Sequence, residues 1–266
     1  MRTVLSIVAA GVLLTGSLAG CSGGGDDTLV VGATPVPHAE ILEYVAEELA
    51  PKENLTIEIK EFTDYVQPNL AVDAGDIDAN YFQHRPYLEE FAAERGLDLV
   101  SVAEVHIEPL GAYSEKVSAL EDLPEGAEVA VPNDATNLGR ALKLLADEGL
   151  IELKDGVGTA ATERDVTANP KKLKFRPLEA AQLTRSLPDV HLAVINGNYA
   201  LQADLQPAKD ALALESPKDN PYANLLVVKA GNEDDPRVRT LAKLLTSDEV
   251  KAFIEEKYAG SVIPVP

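Results

Sequence analysis

Tryptophan is absent from this chain, and 266 residues carry only one cysteine and one methionine. A single thiol excludes an internal disulfide, so the fold must stand on core packing alone. Basic residues are scarce as well: 23 Lys and Arg face 44 Asp and Glu, a formal charge of −21 at pH 7. That field repels nucleic acid and anionic lipid and excludes nonspecific binding to either. A GxSxG elbow, a P-loop, an HExxH pair and a dinucleotide fingerprint are all missing, so catalysis fits poorly. Internal repeats and long charge blocks are missing too. Aromatics are few, five Phe and eight Tyr, yet six of them fall between Phe62 and Phe91. A chain this poor in rings that gathers them beside a histidine and amides is building a pocket or an unusual patch of core.

Apolar residues, 45% of the total, fall in periodic segments, which rules out a disordered composition. The length allows a full core, and two lobes are the natural expectation. Residues 1–20 run from Arg2 through an apolar stretch to a small-residue close, the layout of a secretory signal too short and too broken to span a membrane well. The close, Leu18-Ala19-Gly20-Cys21, resembles the lipobox of bacterial lipoproteins. That resemblance implies diacylglycerol on the Cys21 sulfur and cleavage before it. A soluble export signal with an incidental thiol is the alternative. Residues 21–27 then form the anchor and a flexible polar tether.

From residue 28 the chain alternates strands and helices. Residues 29–33 read as a buried strand and 37–49 as an amphipathic helix closed by Pro51. Residues 55–60 alternate as a second strand, so a strand–helix–strand unit and a parallel sheet follow. A helix over 66–74 leads into Gly75–Leu88, read as a polar turn, an aromatic pair (Tyr81, Phe82), an amide, His84, and then a helix from Pro86. Residues 99–106 are strand-like, and Glu108 to Ser114 is a crossing segment. The pattern restarts with a strand at 128–132 and an apolar-faced helix from Leu138, off whose face Asn137 and Arg140 lie. Residues 153–172 give little signal. A strand at 173–178, a helix at 179–186, strands at 190–195 and 225–228, and two C-terminal helices complete the reading. The fold class expected is α/β, two-lobed and periplasmic-binding-protein-like, with a ligand cleft between the lobes. Residues 28–112 plus about 226–266 would form lobe one, and about 113–225 lobe two. A single doubly wound sheet is the alternative.

Exposed donors and acceptors at element ends cluster in Asn80–His84, His106, Asn137–Arg140 and the group Asn196, Asn198, Asn224. An arginine in a helix's first turn opposes the positive end of the helix dipole, which an anion bound against both would explain, as would a surface ion pair. With aromatic faces, the set describes a wall for a zwitterion: guanidinium for carboxylate, amide oxygens for ammonium, rings for an apolar side chain. The four histidines, His38, His84, His106 and His191, show no tight ligand spacing, so no metal is expected, though a metal-ion-binding lipoprotein is the first alternative. No cofactor is expected.

VGATPVPHAEIL, DYVQPNLAVDAGDIDANYFQHRPYL, HIEPLGAYS, VAVPNDATNLGRALKLL, LAVINGNYA and NPYANLLVV resemble, in order, the methionine-binding lipoproteins of the NlpA/MetQ type, from about Val31 to Val228. The resemblance implies the substrate-binding component of an ABC importer, not an enzyme. Its two lobes would close on L-methionine or a related compound and deliver it to the permease and ATPase complex. By motif, Tyr65, Tyr81, Phe82, His84 and His106 would line lobe one. Asn137, Arg140, Asn196 and Asn224 would make the polar contacts, with Arg140 on the carboxylate. The body would be monomeric and held at the extracytoplasmic face of the cell membrane through Cys21. An interaction lipoprotein that kept the fold without transport is the second alternative.

Overall fold

The computed structural model describes residues 28–266, so the signal segment and Cys21 lie outside the described residues. Among those described, no helix is long and apolar enough to cross a membrane. The chain begins with β1 (Thr28–Ala33), passes through a helical stretch that includes α1 (Glu40–Tyr44), and returns as β2 (Thr56–Glu61) parallel to β1. Pro51 does not close that stretch. It opens a tighter turn at Ala50–Glu53, and the stop comes from Asn54, whose φ of 55° leaves the helical region. Next come α2 (Gln67–Ala74), β3 (Ala79–His84), α3 (Arg85–Arg95) and β4 (Leu99–Ile107).

Residues 108–110 cross to a second sheet. It is built from β5 (Gly111–Tyr113), β6 (Glu128–Pro132), α4 (Ala135–Asp147), a small strand pair β7 (Glu152–Leu153) and β8 (Val166–Ala168), β9 (Lys174–Leu178), α5 (Leu183–Ser186), β10 (Leu192–Ile195), α6 (Gly197–Gln202), α7 (Pro207–Asp210) and β11 (Ala213–Leu214). Residues 215–222 cross back to β12 (Ala223–Lys229), followed by α8 (Pro236–Leu245), α9 (Asp248–Tyr258) and β13 (Ile263–Pro264). The first sheet has the order β13-β4-β12-β3-β1-β2 and the second β11-β5-β10-β6-β9; β7 and β8 pair separately. The molecule is therefore α/β and two-lobed, with a cleft between the lobes.

Further local expectations also differ from what is found. The first sheet is mixed, because β12 runs antiparallel to both β3 and β4. The reason is geometric: β4 leaves the lobe where β12 enters it, and Ile107 pairs with Ala223 at that shared end. The crossings also fall a few residues from the expected boundaries, since Gly111–Tyr113 already belongs to the second sheet and Ala223–Leu225 to the first. Finally, residues 79–84 are a strand buried along its whole length. Its polar content hid this. Asn80 and Gln83 are interior amides that close a ring with Asn69 of α2: Asn69 Nδ2 donates to Gln83 Oε1 (2.8 Å), Asn80 Nδ2 to Asn69 Oδ1 (2.9 Å) and Gln83 Nε2 to Asn69 Oδ1 (2.6 Å). A register shift between Leu225 and Leu226 of β12 leaves Phe82 without a pairing partner, and such bulges re-aim side chains.

The helix expected at 179–186 is a tight turn at Ala180–Gln182 continued by the short α5. Helix α4 carries the polar residues of lobe two and is fixed by Gly139, where a Cβ would lie 2.1 Å from the Thr159 carbonyl oxygen. Backbone on the other side cannot yield as a side chain would. Gly139→Ala is expected to destabilise the protein by about 1–3 kcal/mol, read as a lower denaturant midpoint. An unchanged midpoint would mean that the 158–160 turn moves freely.

Candidate functional site

Between the lobes lies a cavity of about 330 Å³, lined by Tyr65, Phe82, Gln83, His84, Tyr87, Glu108, Asn137, Arg140, Asn196, Gly197, Asn198 and Asn224. Strand β3 and the start of α3 supply the first wall, with Tyr65 from the loop after β2. The ring centroids of Tyr65 and Phe82 are 5.8 Å apart and those of Tyr65 and Tyr87 5.7 Å. Helix α4 and the turn from β10 into α6 supply the opposite wall. Gly197 is needed there, because a Cβ would come 2.8 Å from Glu108 Cβ.

Hydrogen bonds join the walls. Burial pushes the Tyr65 phenol well up, so its hydroxyl stays a donor, to Asn198 Oδ1 at 2.5 Å. Tyr199 donates to the Thr63 carbonyl at 3.2 Å. His84 Nδ1 accepts from the Tyr87 backbone N–H, capping α3, so Nε2 carries the proton and donates to Asn137 Oδ1 at 3.0 Å. The same oxygen accepts from Asn196 Nδ2 at 3.0 Å, while Asn137 Nδ2 donates to Asp134. Both polar atoms of the Asn137 side chain are thus engaged by protein contacts.

Arg140 is 4% exposed, and it is paired. Its Nε and Nη2 donate to Glu215 at 2.9 and 2.5 Å, and Nη2 also to the Glu108 carbonyl at 2.8 Å. Tyr222 lies under the guanidinium, 4.1 Å from its ring centroid. Burial pushes the Glu215 carboxyl up, but the Arg140 charge and hydrogen bonds outweigh it and leave the group below its usual range. Glu108 is buried on the first crossing, where one oxygen, Oε1, accepts from His106 Nε2 at 2.8 Å and lies 3.1 Å from His38 Nε2. Burial alone would raise its carboxyl; the neighbouring His38 and His106 imidazoles more than reverse that and hold it well below the carboxylate range.

Of the residues expected to line the site, Tyr65, Phe82, His84, Asn137, Arg140, Asn196 and Asn224 come together around this cavity. Tyr81 and His106 do not border it. They sit behind the wall, both fully buried and hydrogen-bonded to each other through the Tyr81 hydroxyl and His106 Nδ1. Strand alternation puts Tyr81 on the core face of β3, opposite Phe82 and His84. Sequence reasoning missed Glu108, Glu215 and Tyr87, and left Gln83 and Asn198 out of the final set. Glu108 had a signal, since it lies two positions after His106 in an otherwise apolar run.

His38, His106 and Glu108 also bring three metal-capable atoms within 4.8 Å of one another. His106 Nε2 donates to the carboxylate and His38 Nε2 to Asn224 Oδ1, so no nitrogen lone pair there is directed at an ion, and the donor set does not fit a metal.

Five polar atoms of the cavity residues have no hydrogen-bond partner among the described residues. Asn196 Oδ1 and Asn198 Nδ2 are fully buried; Arg140 Nη1, Glu108 Oε2 and Asn224 Nδ2 are left over from the pairings of their own side chains. Native interiors leave few such atoms. Two are acceptors and three are donors, so the cavity offers complementary contacts for a cation and for an anion.

His84 yields a pH prediction. Burial and then the Arg140 charge depress its imidazole to about 4 against the offset from Asn137. Unfolded imidazole titrates near 6.5, so between those values the unfolded state holds the extra proton and stability falls as pH drops. His84→Gln is expected to remove on the order of 2–3 kcal/mol of the stability lost between pH 7.5 and 4.5. Denaturant titrations of both proteins at the two pH values measure this, and equal losses would contradict a buried neutral imidazole.

The sequence matches the NlpA lipoprotein family over residues 29–266. The D-methionine-binding lipoprotein MetQ of Salmonella typhimurium is 45% identical over 267 residues, covering 97% of each chain. A nutrient-binding protein from Burkholderia cenocepacia, solved bound to methionine, is 50% identical with a TM-score of 0.86, covering 90% of this chain and 100% of that one. An ABC transporter periplasmic substrate-binding protein from Coxiella burnetii is 41% identical with a TM-score of 0.85, covering 89% and 100%. The chain belongs to the NlpA lipoprotein family, whose members are substrate-binding proteins of ABC importers rather than enzymes.

Proposed function

We propose that this protein captures L-methionine, or a closely related methionine compound, by closure of the two lobes and delivers it to the permease and ATPase of an ABC importer. The observation that carries the reading is the set of unpartnered polar atoms in the cavity. Arg140 Nη1 and Asn198 Nδ2 are donors for an α-carboxylate; Glu108 Oε2 and Asn196 Oδ1 are acceptors for an α-ammonium. Tyr65, Phe82 and Tyr87 supply faces for an apolar side chain, and a thioether gains a further contact with aromatic rings. The Salmonella relative is named for D-methionine and the Burkholderia protein was solved bound to methionine, which supports the same ligand class. Glu215 refines the role of Arg140: it occupies Nε and Nη2 of the guanidinium, so the ligand carboxylate takes the remaining Nη1 edge.

Calorimetry on protein stripped of ligand by unfolding and refolding tests this without altering the fold. L-Methionine should bind, whereas methionine amide and N-acetylmethionine, each lacking one charge, should bind at least a hundredfold more weakly. An unpartnered buried charge costs about 3–5 kcal/mol. An analogue bound within threefold of methionine would remove the corresponding anchor from this account.

Membrane attachment through a lipid on Cys21, at the extracytoplasmic face, is part of the same proposal. It rests on Leu18-Ala19-Gly20-Cys21 and on relatives described as lipoproteins. Cys21→Ala should leave the membrane fraction for the soluble one with unchanged methionine affinity; a variant that stays with washed membranes would overturn lipid attachment at that residue.

A further inference from the structure

We propose that His38 and His106 are positioning residues for ligand recognition: together they clamp one oxygen of Glu108 so that the other faces the cavity, and this makes the site selective for a free amine. The inference rests on the reading of Glu108 as the contact for the ligand ammonium. Neither imidazole borders the cavity; both are almost wholly inaccessible, at 1% and 0%.

The geometry is that of a clamp built from both ends. His106 donates from Nε2 to Glu108 Oε1 at 2.8 Å, and His38 Nε2, whose N–H is directed at Asn224 Oδ1, stands 3.1 Å from the same Glu108 oxygen; the rings are 5.0 Å apart, tilted by 49°. One hydrogen bond to that oxygen and a second ring held against it fix both the rotation of the carboxylate and which oxygen is left over. The far nitrogens are held in turn, His38 Nδ1 by Thr34 Oγ1 at 2.7 Å and His106 Nδ1 by the Tyr81 hydroxyl. Burial pushes Tyr81 well above its usual range, so its hydroxyl donates, Nδ1 of His106 accepts, and Nε2 must carry the proton that Glu108 receives. His38 Nε2 also lies 3.1 Å from Asn224 Oδ1, which steadies that cavity residue from behind. A network satisfied at every member is rigid, and a carboxylate rigid before binding need not be ordered by the ligand. A free carboxylate would instead be able to turn toward Gly197 and offer either oxygen, so amine and non-amine ligands would be separated less sharply.

Two probes of the same shape test this: L-methionine, and 3-(methylthio)propanoate, which keeps the carboxylate and thioether but lacks the amine. Wild type should prefer methionine by at least a hundredfold. His106→Leu and His38→Leu should lower methionine affinity tenfold or more while changing propanoate affinity less than twofold. His106→Gln and His38→Gln keep an N–H near the Nε2 position and should recover most of the preference. Thr34→Val is nearly isosteric and removes only the far-end bond of His38, so it should reduce the preference several-fold. It carries the test with the Gln variants if the Leu variants do not fold. Parallel loss of both probes in the variants, or an undiminished preference in Thr34→Val and both Leu variants, would overturn the positioning role alone. Equal binding of the two probes by wild type would overturn the reading of Glu108 itself.

Discussion

A buried carboxylate placed on the strand crossing between two lobes is the constraint around which this molecule is arranged. Glu108 has a side chain only 6% exposed, and an isolated charge at such a depth is prohibitive unless it is paired and hydrogen-bonded. Lobe one answers with His38 and His106, from the helical stretch after β1 and from β4. Lobe two answers through Arg140, whose Nη2 reaches the Glu108 carbonyl. The second crossing supplies Glu215, which neutralises Arg140 in turn. The charges of the site therefore form alternating pairs that run across both crossings. Each lobe holds part of the compensation for the other.

Amides extend the same logic without adding charge. Asn137 spends both its polar atoms on neighbours and Asn196 and Asn198 one each, which keeps lobe two in register with His84 and Tyr65. An oxygen on Asn196 and an NH₂ on Asn198 are left over, an acceptor and a donor. Asn69, Asn80 and Gln83 close on one another instead and leave nothing for a ligand. Identical residue types thus serve two ends. What separates them is whether the ring of donors and acceptors is complete. Aromatic residues divide in the same way: Tyr65 and Phe82 face the cavity, while Tyr81 spends its hydroxyl on a buried imidazole.

Much of the architecture was legible in the chain because it is carried by local periodicity. The runs at 29–33, 128–132 and 192–195 are apolar enough to announce buried strands, and Leu138, Ala141, Leu142 and Leu145 recur at helical spacing along α4. Strand β3 was not legible, because Asn80, Gln83 and His84 break the apolar pattern, and the interior partner that permits them, Asn69, lies eleven residues from the nearer of the two amides it holds. The mixed pairing of β12 was hidden for a similar reason: its neighbours β3 and β4 lie more than a hundred residues earlier.

At the site, motif order was enough to name Phe82, His84, Arg140 and the asparagines, since glycine, proline and amide residues at fixed offsets are local facts of sequence. Composition alone determined the absence of an internal disulfide and the acidic net charge, and local periodicity the two strand–helix series. Only the tertiary structure decided which polar atoms remain free. That Arg140 keeps one edge, that Glu108 keeps one oxygen, and that Tyr81 and His106 stand behind the wall all depend on partners far away in the chain: Glu215, His38 and the β3–β4 pairing with β12. Hydrogen-bond saturation is a property of three-dimensional neighbours, and no spacing within a single segment records it.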